Sequence, residues 1–360
     1  MNKTLFKLSK NKSVEKWNIQ VDDNKIIVTW GKIDGKQQIK EDLILQGKNI
    51  GKSNETTPAQ QALFEAESIY KSKLDKGYAK TIEEAKLKSE EIRPVLVHDY
   101  TSKSNSKHIN FPCQVQPKLD GVRSQIFFNH TTNEIIAKSR ENKEFPINKI
   151  LFEDIKKFMK LNNVNILDGE FYVHGEFLED IISCVKKPEG NRLENEMTFV
   201  VFDLPMNRGL EKLLSLQETN KVKVIETTKA NSKEEAKKLL DNYVSIGFEG
   251  LILRNSNTFE EDYLRGGIRT YDIQKWKLFT DSEYEIIDVI PDKNNNAIYV
   301  CKTNMGAEFN VTPKCSHEMK KNILNNKNNY IGKLLTVKYQ ELTALNIPKF
   351  GVGIAVRDYE

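Results

Sequence analysis

The sequence predicts an α+β chain of several domains, with short strands and single helices giving way to a last stretch that is almost all strand. Three observations carry that expectation. At 360 residues the chain exceeds one ordinary hydrophobic core. Only 38% of it is hydrophobic, yet strand-like and helical apolar runs recur along the whole length, which excludes wholesale disorder. The element pattern changes near 80 and near 280, dividing the chain into units 1–80, 81–280 and 281–360.

The first unit opens with short strands at Leu5–Leu8, Trp17–Val21, Ile26–Trp30 and Gln37–Ile39, separated by turns such as Asp22-Asp23-Asn24 and Asp34-Gly35. A helix follows. Thr57 is its N-cap, Pro58 its first residue and Gln60 the partner in a capping box, and Gly77 stops it. Leu63, Ala66, Tyr70 and Leu74 form its expected apolar stripe. After a polar connector with a helix at Thr81–Glu91, strands are expected at Val115–Pro117, Ser124–Phe128, Ile135–Ser139, Ile166–Val173, Thr198–Asp203 and Gly250–Leu253. Helices at Lys149–Lys160, Leu178–Val185 and Lys233–Val244 interleave with them. From Glu283 onward, about five short strands and one helix, Ser316–Leu324, suit a small closed barrel.

Composition narrows the function classes. Mean hydropathy is −0.56, no apolar run approaches the ~20 residues of a membrane span, and Met1–Lys12 has no apolar signal-peptide core. Four cysteines without C-x-x-C spacing and five scattered histidines argue against a zinc site or a disulfide framework. They point to a reducing, intracellular and cytoplasmic location, with a nucleus or a viral compartment left open. The net charge of +4 is concentrated in residues 1–60, which hold 11 Lys and 7 Asp or Glu. A small basic module on a neutral body suits a polyanionic partner; a Lys-rich solvated surface is the plainer explanation.

The sharpest local feature is Lys118-Leu119-Asp120-Gly121-Val122-Arg123. A lysine acts as a nucleophile only when its amine is neutral, and burial or neighbouring cations favour that form. Arg123, Lys275 and Lys277 supply the cations, the last two in Lys275-Trp276-Lys277. Asp168-Gly169-Glu170 and Glu249-Gly250 place carboxylates at expected strand ends, suited to Mg²⁺ beside substrate phosphates. Together these groups describe attack on phosphorus. Each fragment alone has a plainer explanation: a β-turn with an exposed Lys, a hairpin turn, a solvated strand face.

As an ordered set, these motifs resemble those of the ATP-dependent DNA ligases, within the covalent nucleotidyltransferase superfamily. Lys118–Arg123 is similar to motif I, Ser139-Arg140 to the next short motif, Asp168-Gly169-Glu170 to motif III, Phe202-Asp203 to motif IIIa, Glu249-Gly250 to motif IV and Lys275-Trp276-Lys277 to motif V, across residues 114–279. The resemblance implies an adenylation domain followed by an OB-fold β-barrel, with ATP and Mg²⁺ or Mn²⁺ as cofactors. It implies nicked double-stranded DNA as the partner of a monomer that touches no membrane. Lys118 would take AMP through a phosphoamide bond, and Gln116 would meet the adenine edge. Arg123 would contact the ribose or the nick phosphate, and Arg140 the nick 5′-phosphate. Glu170 would hold the ribose hydroxyl or the metal, and Glu249 the metal. Phe202 would stack on adenine or serve as a core residue, and Lys275 and Lys277 would meet the α-phosphate. The tail, with Ile347-Pro348-Lys349-Phe350 and Ile354 to Arg357, is similar to the end of short ligases. There Arg357 is the candidate for motif VI, although the segment departs from the Arg-x-Asp-Lys form. Residues 1–80 resemble a WGR domain through Trp30-Gly31-Lys32, with Trp30, Lys32, Lys48 and Lys52 as candidate DNA contacts and Trp30 alternatively a core residue.

Four rivals stand beside this reading. An mRNA capping guanylyltransferase shares the lysine motif and barrel, but the run Glu249–Arg254 and the WGR-like unit favour a ligase. The tail disfavours an RNA ligase. The absence of four-Cys zinc spacing and of an N-terminal NMN-binding segment disfavours an NAD-dependent ligase. A WGR-based non-catalytic DNA-binding protein would be expected to have lost the lysine or the carboxylates.

Overall fold

The computed structural model describes residues 1–9, 12–129, 131–205, 210–255, 269–343 and 345–357. Four antiparallel strands, β1 (Asn2–Leu8), β2 (Val14–Asp22), β3 (Lys25–Lys32) and β4 (Gln38–Leu43), form a sheet in sequential order. Helix α1 (Pro58–Asp75) packs on it and starts where its capping box dictates. Thr57 Oγ1 accepts from the Gln60 N–H at 3.2 Å, and Gln60 Oε1 accepts from the Thr57 N–H at 2.9 Å. The buried stripe differs from the expected one. Ala62 and Ala66 are fully buried while Leu63 is 39% exposed, because two small residues let the helix sit close against Leu5 and Trp17.

The middle of the chain is built on two five-stranded sheets. After α2 (Ile82–Ser89) come β5 (Leu96–Asp99), α3 (Lys103–Ser106), β6 (Cys113–Lys118), β7 (Val122–Asn129), β8 (Glu134–Ser139), α4 (Lys149–Leu161) and β9 (Ile166–Tyr172). Then follow α5 (Leu178–Lys186), β10 (Thr198–Asp203), α6 (Leu210–Leu214), β11 (Val222–Val224), β12 (Thr228–Ala230), α7 (Lys233–Ser245), β13 (Gly250–Arg254) and β14 (Arg269–Trp276). One sheet has the order β11-β10-β9-β7-β8, the other β12-β6-β13-β14-β5. α4 and α5 cover the first sheet around Phe158, Met159 and Ile181, and α7 covers the second around Ala236 and Leu240. Asp168-Gly169-Glu170 does not end a strand, as expected, and is no hairpin turn. It lies within β9, paired on both sides to β7 and β10.

The last region pairs β15 (Thr280–Pro291), β16 (Ala297–Lys302), β17 (Glu308–Pro313), β19 (Val352–Arg357) and β18 (Leu334–Tyr339), and β18 returns to β15, so the ring of pairings closes. Helix α8 (His317–Asn325), capped by Ser316, packs on β16 and β15.

Candidate active site

The site forms between the two middle sheets because register puts the relevant side chains on one face. Gln116 pairs with Ile252, which pairs with Lys275; Lys118 pairs with Gly250. Alternation along a strand then places Gln116 and Lys118 of the β6 row, and Lys275 and Lys277 of the β14 row, on a common face. Two glycines permit the close approach. A Cβ on Gly250 would stand 2.4 Å from the Trp276 carbonyl oxygen, and one on Gly121 would stand 2.4 Å from that of Phe171. At Gly121 the approach lets its N–H donate to Glu170 Oε1 at 3.0 Å, joining the lysine loop to β9.

Glu249 organises the basic groups. One carboxylate oxygen pairs with Lys118 Nζ and the other with Lys277 Nζ, and its side chain is 7% exposed. Its backbone N–H also donates to the Lys118 carbonyl at 3.0 Å. Burial, and next the charge of Lys118, push the Lys277 ammonium down to about 8. The same two causes, in the same order, lower Lys275. Burial pushes the Glu170 carboxyl up, with the Lys118 charge opposing.

Arg123 is engaged differently from the sequence expectation. Its Nε and Nη2 donate to the two oxygens of Asp168 at 2.9 and 2.8 Å, and Nη1 donates to the Val95 carbonyl at 2.7 Å. Asp168 is fully buried and also accepts from Gln125 Nε2 at 3.3 Å. Burial raises its carboxyl, opposed by the Arg123 charge. The Arg123 guanidinium lies 5.1 Å from the Phe202 ring centroid, so one face of that ring already has a cation on it. Phe202 is partly buried against the core. Gln116 is buried and donates to Thr227 Oγ1 at 3.1 Å.

Arg140 is exposed at the turn after β8, and burial of its inner part, then the charges of Arg269 and Arg123, lower its ionisation range. Arg269, absent from the sequence reading, donates to the Val97 carbonyl, two residues along the same chain segment from the carbonyl that Arg123 uses. Its motif-free context, ahead of the Lys275-x-Lys277 run, gave no signal.

The C-terminal ring reaches the site through the 340–349 hairpin. Gln340 Oε1 accepts from Lys277 Nζ at 2.8 Å. Lys349, 11% exposed, has its ammonium 3.1 Å from Glu341, 3.7 Å from Asp120 and 3.8 Å from Glu179. Burial opposes its charge, but Glu341 and the other carboxylates outweigh it and hold Lys349 above its ordinary range. Arg357, the expected motif VI cation, is placed elsewhere: its Nε donates to Glu283 at 3.0 Å and Thr336 at 2.8 Å on the ring. Register accounts for the placement, since Arg357 opposes Leu334 at the start of β18 while Lys349 sits at the hairpin that faces Asp120.

The remaining candidates lie in the N-terminal sheet. Trp30 is half-buried, opposite the fully buried Trp17, and packs on the small core. Lys32 and Lys52 are exposed, and Lys48 pairs with Glu65 at 3.1 Å. Among the described residues no group of three or more His, Cys, Asp or Glu is placed to hold a metal.

The arrangement is a half-buried lysine bridged by a buried carboxylate to a second, buried lysine, with arginines beside it. Comparison with known proteins agrees with that chemistry. Residues 94–277 match the ATP dependent DNA ligase domain, and residues 294–357 match a DNA ligase OB-like domain. The chain belongs to the ATP-dependent DNA ligases. The DNA ligase of African swine fever virus is 27% identical over 341 residues, covering 87% of this chain and 78% of the viral one. The DNA ligase of Enterobacteria phage T4 is 24% identical over 309 residues, covering 67% and 62%. A solved Lig E DNA ligase has the same fold, with a TM-score of 0.59 at 20% identity, covering 74% of this ligase and 99% of that chain. The capping-enzyme and non-catalytic readings are not favoured by these matches. No helix among the described residues is long and apolar enough to cross a membrane.

Proposed function

We propose that this ligase seals single-strand nicks in duplex DNA through Lys118. The observation that carries the reading is the Glu249 carboxylate held between Lys118 and Lys277. Glu249 orients the Lys118 amine and takes up its proton as Nζ attacks the α-phosphorus of ATP. The bond to pyrophosphate breaks as the phosphoamide forms. Lys275 and Lys277 neutralise charge on the α-phosphate, where preorganised cations in a water-poor site contribute most. In the second step a nick 5′-phosphate oxygen, gripped by Arg140 and Arg269, attacks the same phosphorus, and the P–N bond breaks as Lys118 regains its proton. The 3′-hydroxyl then attacks the 5′-phosphate and AMP leaves. Gln116 and Phe202 hold the base, and Arg123, fixed by Asp168, backs the ring. Lys349 is the cation of the C-terminal ring that faces the leaving pyrophosphate, in place of Arg357.

The donor set suits Mg²⁺ or Mn²⁺ carried chiefly by substrate phosphates, since Glu170 and Glu249 are single carboxylates each already hydrogen-bonded or ion-paired. The metal would supply charge neutralisation at the transferring phosphoryl group. Trp30, Lys32, Lys48 and Lys52 belong to a basic N-terminal unit that adds phosphate contacts outside the nick.

Incubating the protein with labelled ATP, GTP or NAD tests this directly. A covalent adduct is expected from ATP alone, lost in Lys118→Ala, which still seals a pre-adenylylated nick. Lys349→Ala should slow adduct formation and spare that last step. A normal adduct in Lys118→Ala would overturn the mechanism, and an adduct from GTP but not ATP would transfer the protein to the capping class.

A further inference from the structure

The loop that carries Arg140 is gripped from outside its own sheet. Within the loop, the Ser139 N–H donates to the Lys143 carbonyl and the Asn142 N–H to the Ser139 carbonyl, each at 2.8 Å, and the Lys143 N–H donates to Ser139 Oγ at 3.1 Å. These bonds close a tight turn with Arg140 and Glu141 at its tip. The next two residues are held by side chains from the N-terminal part of the chain. Lys143 Nζ pairs with Asp75 Oδ2, on the last residue of α1, at 2.7 Å. Asn142 Nδ2 donates to Glu91 Oε2 at 3.0 Å, and that same oxygen accepts from Arg93 Nη2 at 3.0 Å.

The grip has a firm base. Arg93 is buried, and its guanidinium lies across Gly77, 3.0 Å from where a Cβ would stand, directly after α1. Residue 79, just beyond, is tied to β1 by two backbone hydrogen bonds of 2.8 Å between Phe6 and Ala79. Contacts therefore run without a break from the small sheet, through Gly77, Arg93 and Glu91, to the two residues that follow Arg140. The Lys143–Asp75 side chains are 55% and 33% exposed, so their pairing contributes little to stability. Its consequence is geometric: it fixes where the loop stands.

We propose that Asp75 and Glu91 are positioning residues, through which the N-terminal unit sets the Arg140 loop for transfer of AMP to the nick 5′-phosphate. The inference rests on the reading of Arg140 as the phosphate-binding arginine. It gives residues 1–80 a part in the second chemical step that their charge alone does not.

The experiment uses the full chain with Asp75→Lys, Lys143→Asp, the charge-swapped double variant and Arg140→Ala. Each protein is first loaded with AMP, and single-turnover transfer to a nicked duplex is then followed, with nick affinity measured alongside. Asp75→Lys should load at the normal rate and keep its nick affinity. It should transfer AMP about tenfold more slowly, since small misplacement of a reacting partner is costly in rate. The swap should restore most of that rate. Normal transfer in Asp75→Lys, or slow transfer that the swap leaves unrescued, would overturn the positioning role. Normal transfer in Arg140→Ala would instead overturn the underlying reading of Arg140, so the two failures are distinguishable.

Discussion

Asp168→Asn isolates the groups that hold Arg123. The substitution keeps the side-chain shape but replaces a carboxylate that accepts from Arg123 at 2.9 and 2.8 Å, and puts an amide N–H against one of those donors. Removing one partner of a buried ion pair costs about 3–5 kcal/mol. Asp168 is fully buried but the Arg123 side chain is 22% exposed, and solvent reaching the guanidinium places this case near the lower bound, about 3 kcal/mol. For a unit of roughly 150–250 residues that is a fall of about 6–12 °C in the melting temperature of the middle domain. Calorimetry at neutral pH reads it. A fall of less than about 2 °C would refute the argument that this buried pair anchors Arg123 across β7 and β9. The double variant Arg123→Met with Asp168→Leu separates structure from chemistry. Apolar replacement of both partners avoids the stranded charge, so most of the stability should return. Adduct formation should not, because the cation over Phe202 is gone.

Three further outcomes follow from the site. Glu249→Ala should impair adduct formation more than Glu249→Asp across a Mg²⁺ titration, by an amount on the order of several kcal/mol in barrier height; a rate and metal dependence left unchanged by Glu249→Ala would make Glu249 purely structural. Lys277, pushed down to about 8, loses its positive charge as pH rises through that value, so adenylylation should decline on the alkaline side. Lys277→Arg, which stays charged, should move that decline upward even at a lower rate, and an unmoved decline would assign it to another group. Deleting residues 1–80 should leave AMP loading of Lys118 nearly intact while weakening nick binding, and it should reduce the salt slope by about one unit for each phosphate no longer neutralised; an unchanged affinity, salt slope and AMP-transfer rate would make this unit a protein-interaction module.

Much of the fold was legible because local chemistry set it. The start of α1 follows from Thr57, Pro58 and Gln60, and Ser316 caps α8 in the same way. Thr198–Asp203 is a strand at the expected bounds, since it is a short apolar run. Three-residue strands such as Val222–Val224 and Thr228–Ala230 were not legible. They carry no period of their own and exist because a neighbouring strand offers its edge. The stripe on α1 was misread for a related reason. Periodicity gives a helix its face, but whether Leu63 or Ala62 points inward depends on how close the helix can come to Trp17.

The site divides along the same line. Residues in one short motif share a strand or its loop, so Lys118 and Gly121 could be grouped from spacing and residue type, while Glu249 joins them only through the resemblance of the ordered motif set. Their partners could not. Asp168 and Glu170 stand two apart on β9, so alternation puts both on one face, but only the cross-strand register shows that Asp168 stands opposite Gln125 and Glu170 opposite Arg123. Arg123 then crosses that register diagonally to reach Asp168, a choice that a planar guanidinium makes because two parallel N–H bonds to one carboxylate exceed a single contact. Lys349 and Arg357 show the limit most plainly. Both are cations near the end of a short chain segment, eight positions apart, and sequence offers no reason to choose between them. What separates them is a hairpin that folds back from β18 and carries Lys349 to Asp120, leaving Arg357 to Glu283. Which of the two cations stands beside the lysine loop is therefore set by the contact of the C-terminal ring with the middle sheets, a property of that packing rather than of any run of residues within either.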